Sequence, residues 1–130
     1  MPYLRGDVTR FQQVLINLVR NALKFTHIGK IEVIVNYDET QQAVVVSCKD
    51  TGIGIKQSDI ENLFTLFGKL QRSADLNSEG LGLGLRICKQ IVEQNGGKIY
   101  VESAGENKGS CFTFSMKMEE VDTNSESLLE

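Results

Sequence analysis

The sequence predicts an α+β fold in which helices cover one face of a sheet as a two-layer sandwich. Residues 7 to 25 repeat apolar side chains at helical spacing, two runs rich in β-branched residues follow as neighbours, and a second amphipathic helix precedes another neighbouring pair of strands. Strands alternating singly with helices would instead give a parallel doubly wound sheet.

In the first helix, Phe11, Val14, Leu15, Leu18, Ala22 and Phe25 fall at steps of three and four and define one buried face, with Asp7 or Gly6 at its start. The runs 30 to 37 (KIEVIVNY) and 43 to 50 (AVVVSCKD) read as a hairpin or adjacent strands with a turn near Glu39 and Thr40. Residues 58 to 67 read as a short helix, and 68 to 80 as a mobile loop with little apolar periodicity. Residues 83 to 95 form a helix with Leu85, Cys88, Ile91 and Val92 on one side, stopped by Gly96 and Gly97. KIYVES and SCFTFSMKM close the fold as two strands, the second alternating through Phe112, Phe114, Met116 and Met118.

At 130 residues the chain has room for one domain, residues 1 to 118, followed by an acidic, flexible tail or linker at 119 to 130. That tail holds five acids and no base, so the rest carries 14 bases against 12 acids. A nearly neutral domain without an aromatic-laced basic stripe argues against nucleic acid as a partner. No run reaches the ~18 apolar residues of a membrane span, and the first residues lack the pattern of a secretory signal, so a cytoplasmic domain without direct membrane contact is expected. Cys48, Cys88 and Cys111 have no CxxC spacing and are expected to be buried as small apolar residues.

Three constellations carry chemistry. On the first helix, Asp7, Arg10, Gln13, Asn17, Asn21 and Lys24 share a polar stripe. Asparagines four apart are poor choices for a plain solvent face, whereas their carboxamide oxygens suit a hard cation such as Mg²⁺, with Lys24 placed for a phosphate. Next, DTGIGI (50 to 55) sets a carboxylate at the mouth of a strand beside two glycines, where Asp50 could accept a base's exocyclic amine. Finally, GLGLGL (80 to 85) opens a helix, a ready anion site because free N–H groups and the helix dipole point the same way. Its spacing is not that of a dinucleotide or P-loop motif. His27, the only histidine, reads as a surface or capping residue.

Together and in this order, these strings resemble the ATP-binding catalytic domain of sensor histidine kinases in the GHKL superfamily. DVTRFQQVLINLVRNALKFT looks like its asparagine box, DTGIGI its first glycine box, LFTLFGKL its phenylalanine box and GLGLGL its second glycine box. The match covers about residues 5 to 118. The resemblance implies the Bergerat fold, a mixed, mostly antiparallel sheet covered on one face by three helices, with ATP and Mg²⁺ as cofactors. It implies that Asn21 ligates the metal with Asn17 beside it and that Lys24 contacts phosphate. Asp50, Gly52, Gly54 and Ile55 would receive the adenine, and Lys69, Gly80, Gly82, Leu83 and Gly84 would shape the lid and phosphate contacts.

Relatives that hydrolyse ATP place a glutamate where this chain has Asn17, so the resemblance implies phosphoryl transfer to a protein histidine rather than hydrolysis. The alternatives are a GHKL-type ATPase and a non-catalytic interaction module. The implied partners are a phosphoacceptor histidine domain, absent from this chain, and a response regulator receiver domain. The isolated domain is expected to be a monomer.

Overall fold

The computed structural model describes residues 3 to 60, 63 and 81 to 121, with side chains in the last helix from residue 84 onward. The elements are β1 (Tyr3–Arg5), α1 (Val8–Phe25), β2 (Ile31–Asp38), β3 (Ala43–Asp50), α2 (Gln57–Ile60), α3 (Leu81–Gln94), β4 (Ile99–Glu102), β5 (Ser110–Lys117) and β6 (Glu119–Val121). Four strands form one sheet in the order β2-β3-β5-β4, every pairing antiparallel, while β1 and β6 make a separate two-stranded ribbon.

Helix α1 begins at Asp7, whose carboxylate accepts the Arg10 N–H at 3.0 Å and caps the first turn. Its predicted face is the buried one. Val14, Leu18, Ala22 and Phe25 are buried, and Phe11 tilts against Phe114 with ring centroids 5.6 Å apart. Inward side chains alternate along the two central strands as Val44, Val46 and Cys48 on β3 and Phe112, Phe114 and Met116 on β5. Leu85, Cys88, Ile91 and Val92 of α3 complete the core. On the sheet's other face the Ser47 and Thr113 hydroxyls meet at 3.1 Å.

Four details differ from the sequence reading. Helix α3 starts at Leu81, so Gly82 and Gly84 lie inside it. A glycine in a helix interior costs about 1 kcal/mol against alanine, a local cost that propensity counts and tertiary contact overrides. Residues 119 to 121, expected in the tail, form β6 and pair Tyr3 with Val121 and Arg5 with Glu119. The Tyr37 hydroxyl holds the adjoining chain by donating to the Met118 carbonyl at 2.8 Å. The short helix expected at 58 to 67 is described only as Gln57–Ile60, and most of the remainder, like residues 68 to 80, lies outside the described residues. Cys48 and Cys88 are buried as expected, but Cys111 is only half-buried because its strand position faces the open side of the sheet.

Candidate functional site

Helix α1 organises the site because one of its sides faces α3 and its C-terminal end meets the loop after β3. On the side facing α3, the Asn17 amide donates to the Gln13 carbonyl at 3.0 Å, one turn back along the helix. That bond orients the carboxamide and leaves its oxygen as the outward group. A Cβ placed on Gly84 would stand 3.3 Å from Asn17 Oδ1, so the glycine admits this close approach between the helices. The amides of Leu81, Gly82, Leu83 and Gly84 form the first turn of α3, where N–H groups have no acceptor within the helix. The Asn17 carboxamide oxygen and the start of α3 therefore meet at one junction.

Further along the same stripe, Asn21 and Lys24 are half-buried, and the Asn21 side chain makes no hydrogen bond among the described residues. Asp50 closes β3 and is 6% exposed. Its Oδ1 accepts the Gly52 N–H and its Oδ2 accepts the Ser110 hydroxyl, each at 2.8 Å. Each oxygen keeps further acceptor capacity, so the carboxylate is fixed in direction and still able to receive a ligand N–H. The Thr26 hydroxyl, at the C-cap of α1, is buried without a hydrogen-bond partner in the described structure. It lies against the Gly52 position.

The glycines of DTGIGI pack closely against neighbouring backbone. The Cβ position of Gly52 is taken by the Phe25 carbonyl oxygen, and Ile53 N–H donates to that same oxygen at 3.1 Å. Gly54 has φ +71°, and its Cβ position is taken by the Gly105 carbonyl oxygen. Both glycines thus seat the loop against α1 and against residues 103 to 109. Ile55 is fully buried, and its N–H donates to Ser103 Oγ at 3.1 Å. Ser103 in turn donates to the Gly109 carbonyl at 2.7 Å.

Sequence reasoning missed Ser110, Ser103 and Thr26. Ser110 had a signal, since it is a polar residue opening an otherwise apolar strand, but its partner Asp50 is 60 residues away. Of the residues singled out, Asn17, Asn21, Lys24, Asp50, Gly52, Gly54, Ile55, Gly82, Leu83 and Gly84 fall within the described structure. Lys69 and Gly80 lie outside it. His27 is exposed, as a surface residue should be.

Residues 6 to 120 match the family model of the histidine kinase-, DNA gyrase B- and HSP90-like ATPases. The chain belongs to that family. Among curated proteins, Two-component system protein A of Emericella nidulans is 41% identical over 120 residues, covering 88% of this chain and 18% of that protein. The chain therefore spans about a fifth of that relative's length. Among solved structures, the catalytic domain of histidine kinase ThkA in a nucleotide-free form is 35% identical with a TM-score of 0.69, covering 85% of this chain and 69% of that one. Full-length ShkA in complex with AMPPNP is 27% identical with a TM-score of 0.79, over 95% of this chain and 24% of that one. The fold is the Bergerat fold of histidine kinase catalytic domains, and this is the ATP-binding domain type of two-component signalling kinases.

Proposed function

We propose that this domain binds Mg-ATP and presents its γ-phosphoryl group to a histidine on a separate phosphoacceptor domain. The observation that carries the reading is the pairing of a buried, twice-bonded Asp50 at one end of α1 with the Asn17, Asn21 and Lys24 stripe that continues towards the start of α3. Asp50 would accept the adenine amino group, its direction set by Gly52 N–H and Ser110. The Thr26 hydroxyl, without a hydrogen-bond partner among the described residues, lies beside Gly52 under the same end of α1.

Asn21 is the metal ligand in this reading. Its carboxamide supplies the hard oxygen that Mg²⁺ prefers, and the spare oxygen of Asn17 lies one turn away. When bound, the ion supplies charge neutralisation for the phosphates. Lys24 adds a cation, and the first-turn amides of α3 add N–H donors, so the protein's part is positioning and charge stabilisation. Lys69, Gly80, Gly82, Leu83 and Gly84 complete the phosphate side and lid. Asn17 has no carboxylate with which to take a proton from water, which favours a neutral imidazole as acceptor over hydrolysis. A response regulator receiver domain would then take the phosphoryl group, and the cytoplasm is the compartment that suits such a relay.

Calorimetric titration with ADP or a non-hydrolysable ATP analogue tests the binding step. Affinity should rise with Mg²⁺, fall at least tenfold in Asn21→Ala only when Mg²⁺ is present, and collapse in Asp50→Asn with or without it. A folded chain that binds no nucleotide refutes the reading. Supplying a phosphoacceptor domain with labelled ATP then tests transfer, with no label expected on this chain alone.

A further inference from the structure

Strand β2 is an edge strand whose outer side has no partner among the described residues. It is eight residues long, contains no proline and exposes Val33, Ile34 and Val35 at 40 to 42% each. Edges of this length invite pairing unless charge, proline or a bulge blunts them, and within β2 only Glu32 and Asp38 are charged.

The direction of each backbone group follows from the ladder. Thr51 N–H donates to the Lys30 carbonyl at 3.2 Å, one step beyond the Ile31–Asp50 pair. Alternation then turns the N–H and C=O groups of Ile31, Val33, Val35 and Tyr37 outward. An antiparallel copy of the same strand can satisfy them only in registers that pair odd residues with odd ones. Among these, centring on Ile34 sets Val33 opposite Val35, Glu32 opposite Asn36 and Lys30 opposite Asp38, giving two opposite-charge pairs by symmetry. A shift towards Val35 would set Glu32 against Asp38, and a shift towards Val33 would leave Lys30 opposite Asn36. Like charges directly opposite destabilise a sheet pair, so charge selects the Ile34-centred register.

We propose that the β2 edge is a self-association surface at which two copies of this chain pair antiparallel about Ile34, joining their sheets into one of eight strands. The two-fold axis is perpendicular to the sheet and places both α1 helices on the same side of it. A single strand pair is small for a stable interface, so the dimer is a weak one that fills with concentration. This departs from the monomer expected of the sequence.

Sedimentation equilibrium of the full chain across about 10 to 500 µM should give a weight-average mass that rises towards the dimer. Val35→Pro removes an N–H that points away from β3, leaving the internal ladder intact, and should weaken association at least tenfold. Lys30→Glu should weaken it by a similar factor. Independently of those variants, Ile34→Cys in a Cys111→Ser background should form an intermolecular disulfide on mild oxidation, because the two sulfurs face each other across a closely spaced pair. Asn36→Cys should not, since its symmetry mate lies four residues away along the strand. A monomeric mass throughout the range overturns the proposal, as do dimers that persist in Val35→Pro or equal crosslinking of both cysteine variants.

Discussion

Ser110 donates its hydroxyl to Asp50 Oδ2 at 2.8 Å across the β3–β5 ladder, so the carboxylate proposed to receive adenine is aimed by a residue on another strand. Both groups are buried, and removing the donor leaves a charged acceptor less satisfied. Ser110→Ala should weaken nucleotide binding by roughly fivefold to thirtyfold and lower stability by about 1 to 2 kcal/mol. Titration calorimetry and urea unfolding read the two effects separately.

Gly84→Ala should separate stability from binding. An added methyl favours the helix by up to about 1 kcal/mol but would stand 3.3 Å from Asn17 Oδ1. Unchanged or raised thermal stability is therefore expected together with weaker Mg²⁺-dependent nucleotide affinity. Equal affinity with and without the methyl would show that the junction has no part in binding.

Gly54→Ala should be costly to the fold. The residue sits at φ +71°, and a Cβ there meets the Gly105 carbonyl, which is backbone and cannot swing aside. A loss of about 2 to 4 kcal/mol is expected from strain and overlap together, visible as a lowered urea midpoint.

Alkaline stability should report the buried thiols. Burial pushes the Cys88 thiol up to about 12; burial, with the charge of Asp50 next, pushes Cys48 up to about 11. Both ionise near 9 in the unfolded chain, so their contribution is whole below that pH and is lost as pH climbs through the folded values. Urea midpoints measured from pH 8 to 11 should fall, and Cys88→Ala should flatten that slope whatever it does to the midpoint at pH 8. At neutral pH a thiol reagent should modify half-buried Cys111 well before the other two.

Most of the fold was legible because α1, β3, α3 and β5 each bury one face over at least eight residues, long enough for periodicity to emerge. The ribbon of β1 and β6 was not, since three-residue strands carry no periodicity and their partners stand over a hundred residues apart. The placement of Asn17 and Asn21 on one stripe of α1, and of Asp50 at the end of a strand, was legible from spacing. The reason for Gly52 and Gly54 was not, because the atoms that crowd them belong to Phe25 and to the loop at Gly105, which no local pattern announces.

The ribbon also decides how the domain can be held. It precedes α1, whereas Asn21 and Lys24 lie near that helix's far end, about 20 Å along the axis. Chain joined before Tyr3 or after Val121 would leave from a single point of attachment remote from the residues proposed to contact nucleotide. A pull on both tethers would peel three residue pairs apart one by one before it loaded the four-stranded sheet. The domain could then swing as a body on that attachment, and its ligand contacts would feel little of the tension.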